Sequence, residues 1–503
     1  MGIFHLKVFP LRVKVFLISK IFIDLERLGA MILGREKELA ILKEAALDNR
    51  SRFIAVYGRR RIGKTFLIRE AFGYRFTFQH AGLSKGGIRE QIFAFESSIR
   101  DAGGTFSEKS KNWLEAFEDL KELIRTSRED RKIIFIDELS WMDTQNSDLI
   151  VALENFWNGW ASARKDIVLI VSASATSWML NKVIHNKGGL YNRLTDRIGL
   201  DTFTLAECER YVKASHINLN RDQILQFYMI FGGVPYYWTF LQKGLSIPQN
   251  VDQILFDKDA PLKDEFEHLY SSIFRYPDTY IRIIKALGHK KVGMTREELI
   301  SASGIPNSGN LSKKLEELES CGFIRKYTCY GKKSKDAVYQ LIDNFTLFYY
   351  QFVEKGVTDP HFWSSQVNTS KINSWMGLAY ERIVLRHISQ IKKKLGIAGI
   401  HSEEFSWYAA PDKEKGLPGV QIDLLIARKD RVINLCEAKY SQSEYLMTKK
   451  DDENIRRKIA VFTETTGTKD AIFPILITNI GVIDNSYAMN LQSVIISDDL
   501  FAD

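Results

Sequence analysis

Gly58-Arg59-Arg60-Arg61-Ile62-Gly63-Lys64-Thr65 follows directly on the apolar run Phe53-Ile54-Ala55-Val56-Tyr57 and leads into Phe66-Leu67-Ile68-Arg69-Glu70-Ala71-Phe72. This is G-x-x-x-x-G-K-[ST] set between a strand-like and a helix-like segment, the context that makes the pattern a phosphate-cradling loop. The glycines let backbone N–H groups curl round a polyphosphate, and the following helix offers its positive end. In that arrangement Lys64 neutralises the β- and γ-phosphates and the Thr65 hydroxyl completes a Mg²⁺ shell. ATP and Mg²⁺ are therefore the expected cofactors, with all eight residues from Gly58 to Thr65 as candidate nucleotide contacts.

Working outward, Lys132-Ile133-Ile134-Phe135-Ile136 runs into Asp137-Glu138. A continuous apolar run suits a strand buried on both faces, and carboxylates at its C-terminal end fall at the ligand edge of a parallel sheet. This reads as a Walker B strand, with Asp137 holding Mg²⁺ and Glu138 polarising the attacking water. A third buried strand, Ile167-Val168-Leu169-Ile170-Val171, ends in Ser172-Ala173-Ser174-Ala175-Thr176. A polar residue there is placed to sense the γ-phosphate, Ser174 first and Ser172 second; an ordinary polar sheet end is the alternative. In Leu190-Tyr191-Asn192-Arg193-Leu194-Thr195-Asp196-Arg197, before the strand-like 198–205, Arg193 ranks ahead of Arg197 as an arginine finger. A homo-oligomer would let that arginine act from a neighbouring subunit, and a surface ion pair is the plain alternative. The region from Tyr74 to about Asp130 is polar and aromatic, with helical spacing over 91–99 and 113–124.

The chain has 503 residues, 45% hydrophobic and 26% charged, which excludes a disordered chain and allows about three domains. Seventy Lys and Arg against 62 Asp and Glu give a net charge of +8, compatible with a polyanionic partner. Four scattered cysteines, Cys208, Cys321, Cys329 and Cys436, form no C-x-x-C and point to neither a disulfide framework nor zinc, as in a reducing cytoplasm. No apolar run reaches the roughly 18–20 residues of a membrane span, so no stable membrane association is expected. Residues 1–30 are apolar and basic and read as a poor leader, as a basic membrane-touching segment or, the preferred reading, as an extension without a role before a natural start at Met31.

Gly34-Arg35-Glu36-Lys37-Glu38-Leu39 opens an amphipathic helix, and 206–245 is helical around Phe231-Gly232-Gly233-Val234-Pro235-Tyr236-Tyr237. Gly-Arg-Glu, the Arg-rich loop, Ile-Asp-Glu, Leu-Tyr-x-Arg and Gly-Gly-Val-Pro, in this order over about 31–265, resemble the archaeal-type AAA+ ATPases related to the STAND class. Leu190-Tyr191-Asn192-Arg193 departs from that family's usual Leu-Tyr-Gly-Arg. The resemblance implies an ATPase core over 31–205 and a helical lid over 206–270. It also implies that the helix from Gly34 closes over the adenine and that Pro235 packs near the base.

Residues 277–341 read as helix, turn, second helix and hairpin: a winged helix. Lys313 and Lys314 on the second helix, with Lys332, Lys333 and Lys335 on the hairpin, suit duplex phosphates, although winged helices also join proteins. Beyond it, a helix over 375–387 contains Glu381. Gly419-Val420-Gln421-Ile422-Asp423 opens one strand, and a second runs into Glu437-Ala438-Lys439. Both carboxylates then reach one end of a sheet, able to hold Mg²⁺ or Mn²⁺, with Lys439 two residues on along the same face to position a water. The order resembles the PD-(D/E)xK nuclease fold, appended in such ATPases, over 342–503. By that resemblance Glu381 matches the first acidic position and Gln421 joins the site.

The expected fold class is thus multidomain α/β: a P-loop NTPase parallel sheet with helical lid, a winged helix and a restriction-endonuclease-like domain. The leading expectation is an AAA+ ATPase coupled to a nucleic-acid-binding, metal-dependent nuclease, with DNA favoured. The rival is an ATP-dependent signalling or scaffold switch whose C-terminal domains only bind DNA or protein.

Overall fold

A computed structural model describes residues 32–105, 108–274, 276–332, 337–411 and 419–503. The extension before Met31, Met31 itself, and Lys333 and Lys335 of the basic hairpin lie outside these residues. The chain divides into two compact units. Of the described residues, the first holds those up to Tyr57, Gly63–Ser174 and Trp178–Leu200; the second holds Gly58–Ile62, Ala175–Ser177 and those from Asp201 on.

The first unit is organised on five parallel strands: β1 (Arg52–Tyr57), β2 (Phe78–Ala81), β3 (Lys132–Asp137), β4 (Ile167–Ala173) and β5 (Asp196–Gly199). They lie in the order β2-β3-β4-β1-β5. The apolar runs become the central strands because both faces are covered; every residue of β4 is buried. The order has a direct chemical result. β4 lies between the strand that feeds the glycine-rich loop and the strand that ends in Asp137, with Val56 opposite Ser172 and Ile136 opposite Val171.

The spacing at 91–99 and 113–124 appears as the helices Ile88–Asp101 and Trp113–Thr126, the latter capped by Asn112 accepting from the Glu115 N–H. Between the loop helix and these lies β2, a four-residue edge strand that the polar composition of its region concealed. The strand expected over 198–205 is corrected to Asp196–Gly199. Extended pairing gives way because Thr204 and Glu207 form a reciprocal capping box and start the helix Leu205–Ala214.

In the second unit one hydrophobic cluster runs from Phe203 to Phe501. The segments 206–270, 277–341 and 342–503 all contribute to it. The helices Leu205–Ala214, Arg221–Phe231 and Pro235–Trp238 come first. Next, the helices Pro277–Gly288, Arg296–Ser303 and Gly309–Ser320 accompany an antiparallel sheet of β6 (Met294–Thr295), β7 (Ile324–Tyr327) and β8 (Val338–Leu341), ordered β6-β8-β7. The C-terminal sheet is β13-β12-β11-β10-β9, from β9 (Ser402–Ala409), β10 (Val420–Arg428), β11 (Val432–Lys439), β12 (Ala471–Thr478) and β13 (Ser493–Ile496). β9, β10 and β11 pair antiparallel, and β11, β12 and β13 parallel.

Lys314 differs from its expected role. It lies in the buried row Leu311, Lys314, Leu315, Leu318, and its Nζ sits 3.9 Å from the centroid of the Tyr280 ring. Helical spacing turns it inward, so it is not a phosphate contact, whereas Lys313 and Lys332 are exposed.

Candidate functional site

Gly63, at φ +88, caps the N-terminus of the helix Lys64–Ala71 in a left-handed conformation that glycine adopts at little cost. The turn delivers Lys64 and Thr65 to the C-terminal end of the parallel sheet. Lys64 is buried, and its Nζ donates to Ser174 Oγ at 2.9 Å. Ser174 in turn donates through its hydroxyl to Glu138 Oε1, and its backbone N–H donates to Glu138 Oε2 at 3.0 Å. Glu138 itself takes φ 49, a left-handed conformation costing a non-glycine residue about 1–2 kcal/mol. That turn carries its carboxylate back to the end of β4.

A second group adjoins it in the same unit. Thr65 Oγ1 donates to Asp137 Oδ2 at 2.7 Å, Ser172 Oγ donates to Asp137 Oδ1, and the Glu138 N–H reaches Asp137 Oδ1 at 3.0 Å. A hydroxyl and a buried carboxylate side by side are hard oxygen donors of the kind Mg²⁺ takes, so these residues fit that ion. Both serines expected at the end of β4 are drawn in, one to each acid. Arg193, on the turn after Leu190, and Arg197, on β5, are exposed and stand outside this hydrogen-bonded group.

The loop's earlier residues belong to the second unit, which holds two of their side chains. Arg59 and Arg61 are committed to Asp343 and Glu265, at 2.6 Å and at 3.0 and 2.8 Å. The expectation for this stretch rests on its backbone N–H groups. Ile62 is buried. Pro235 is the first residue of the short helix Pro235–Trp238, and the N–H of Tyr236 donates to Arg61 O at 3.3 Å. The Gly-Gly-Val-Pro segment thus meets the loop through its backbone.

In the C-terminal sheet Leu424 of β10 faces Cys436 of β11, which brings Asp423 and Glu437 to one end of the pair. Glu437 is buried and accepts from Lys458 Nζ at 2.6 Å, with Lys439 Nζ at 3.1 Å. Burial pulls the Lys439 ammonium down, but Glu437 outweighs it and raises its pKa. Asp423 Oδ1 accepts from Gln421. Glu381, on the helix Ser370–Arg386, accepts from Lys291 Nζ at 2.7 Å, and burial first and Asp423 second push its carboxyl up.

The expected residues are therefore electrostatic neighbours, yet each of Glu381 and Glu437 is engaged by lysine. Among the described residues no group of three or more His, Cys, Asp or Glu is placed to hold a metal ion. Lys458 and Lys291 escaped the sequence reading. Lys291 left no signal, but Lys458 did: it interrupts the buried stripe Ile455, Lys458, Phe462 of the helix Lys449–Thr466, where a lysine needs an acidic partner.

Among the described residues no helix is long and apolar enough to cross a membrane. Residues 32–240 match the family described as ATPase domains predominantly from Archaea. An uncharacterized protein of Methanocaldococcus jannaschii is 25% identical over 414 residues, covering 76% of this chain and 85% of that protein. Among solved structures, a Walker-type ATPase of Pyrococcus abyssi is 16% identical with a TM-score of 0.43, over 63% of this chain and 95% of that one. The ORC2 protein of Aeropyrum pernix, in ADPNP and ADP complexes, is 12% identical with a TM-score of 0.38, over 71% and 96% of the two chains. Residues 32–240 carry an ATP-binding ATPase domain of the archaeal type.

Proposed function

We propose that the chain is an AAA+ ATPase that hydrolyses ATP at the end of the β1–β3–β4 sheet. The observation that carries this reading is the hydrogen-bonded chain Lys64–Ser174–Glu138 beside Thr65–Asp137. Lys64 holds the β- and γ-phosphates, and Ser174, between Lys64 and Glu138, registers the γ-phosphate. Glu138 orients and polarises the attacking water when Ser174 turns to the phosphate. Thr65 and Asp137 would hold Mg²⁺, which neutralises charge on the phosphates when bound. Arg193, exposed, serves as the finger toward a nucleotide held by a second copy.

ATP binding and turnover on the full chain test this reading. Glu138→Gln should keep ATP binding and lose turnover by about 100-fold or more, and Lys64→Ala should lose both. Turnover in Lys64→Ala equal to that of the unaltered protein would sink it.

A second reading concerns the C-terminal sheet. The adjacency of Asp423, Glu437 and Lys439 favours a DNA-cutting domain fed by Lys313 and Lys332. The engagement of Glu437 by two lysines favours a domain that only binds nucleic acid or protein. Plasmid and single-strand cleavage in Mg²⁺ or Mn²⁺, with and without ATP, decides between them. Cleavage that disappears in Lys439→Ala establishes the first; intact ATP turnover without cleavage establishes the second.

A further inference from the structure

Arg59 and Arg61 stand at variable positions of the glycine-rich motif, where phosphate binding prescribes no particular side chain. Both are nonetheless fixed. Arg59 is 4% exposed and Asp343 is 4% exposed, and Arg59 Nη1 donates to Asp343 Oδ2 at 2.6 Å. The guanidinium carbon lies 4.5 Å from the centroid of the Phe323 ring. Asp343 is itself held, because its Oδ1 accepts from the Thr346 N–H at 2.9 Å and caps the helix Asn344–Phe348. Burial pushes the Asp343 carboxyl up, but Arg59 outweighs it and keeps it below the usual carboxylate range.

Arg61 has φ 74, a left-handed conformation that a non-glycine residue keeps only where its surroundings fix it. They do. Its Nε and Nη2 form a bidentate pair with the buried Glu265, and its guanidinium carbon lies 4.0 Å from the centroid of the Tyr236 ring. The Tyr237 hydroxyl donates to the same carboxylate at 3.2 Å. All of these residues belong to the second unit.

We infer that Asp343 and Glu265 are positioning residues of the nucleotide site: by holding Arg59 and Arg61 they set the backbone of Gly58–Ile62 in the shape that receives phosphate. The inference rests on the ATP-binding reading. It explains why a loop with three successive arginines holds two of them against buried carboxylates. By linkage, whatever free energy the two pairs lend to nucleotide binding, the nucleotide returns to the surroundings of Asp343 and Glu265.

The test is titration of the full chain with a fluorescent ATP analogue, beside kcat and KM for ATP. Asp343→Asn keeps a residue able to cap the helix, and Glu265→Gln keeps a hydrogen-bond acceptor for Arg61. Each is expected to raise the dissociation constant and KM about tenfold while leaving kcat at saturation unchanged. Unaltered affinity in either folded variant overturns the inference. Failure of the unaltered protein to bind the analogue defeats the ATP-binding reading instead, which separates the two. Should a variant not fold, hydrogen exchange on the unaltered protein decides. The analogue should slow exchange at Val338–Phe348, and should not do so in Lys64→Ala. Unchanged exchange in the presence of saturating analogue overturns the proposal.

Discussion

Lys64 and Ser174 are joined at 2.9 Å across the end of the parallel sheet, from residues 110 positions apart in the chain. Ser174 also donates to Glu138, so one hydroxyl links Lys64 to that acid. Ser174→Ala removes that link and leaves the loop intact. It should lower kcat for ATP by about 10- to 100-fold with a smaller change in KM, the amount expected for hydrogen bonds to charged groups. Steady-state turnover beside nucleotide titration measures the split.

Arg52 gives a second prediction. It is 4% exposed and forms a bidentate pair with Asp196 at 3.0 and 2.9 Å, with Asp48 at 2.8 Å as a further partner. Asp196→Ala would leave a buried guanidinium short of its main partner. It should destabilise the fold by about 3 kcal/mol. Denaturant titration checks it, and Asp48→Ala should cost less because Asp196 remains.

His387 predicts a dependence on pH. Its Nδ1 pairs with Ile383 O at 2.8 Å and its Nε2 accepts from the Leu205 N–H at 3.3 Å, an arrangement for the neutral ring. Burial pushes its pKa down to about 4 from an unfolded value of 6.5. Between those values the unfolded chain binds the extra proton and the folded one does not, so stability falls as pH drops through that window. The contribution of this group is at most about 3 kcal/mol. Urea melts from pH 7 to pH 4 should show His387→Gln losing less stability than the unaltered protein.

The basic residues of the region 277–341 separate by burial. Lys313 and Lys332 are exposed, while Lys314 lies over Tyr280. If duplex DNA is bound here, Lys313→Ala and Lys332→Ala should each lower the magnitude of the salt slope of binding by about 1. Lys314→Ala should leave the slope unchanged and lower the melting temperature. Anisotropy titrations over a salt series, with thermal melts, distinguish the two classes.

Much of the ATPase part was legible because its signals are local. Five apolar residues running into Asp137-Glu138 describe a buried strand with its chemistry at one end, and the structure places them so. Ser172 and Ser174 could be ranked but not assigned: both face the site, and strand order decides which acid each serves. β2 was hidden because an edge strand needs few apolar residues. What the chain did not disclose was pairing at a distance. Nothing near Arg59 points to Asp343, 284 positions away, and nothing near Glu381 points to Lys291. Lys458 was readable from the stripe it interrupts, though the stripe does not name Glu437 as its partner.

The pairing of Arg59 with Asp343 and of Arg61 with Glu265 also bears on modularity. The stretch that matches other ATPase domains ends at residue 240, before either acid is reached. Grafted alone onto another chain, that stretch would leave Arg59 and Arg61 without their counterions. A recombination that separated residue 61 from residues 265 and 343 would have to replace both carboxylates in the recipient, or lose the arginines with them.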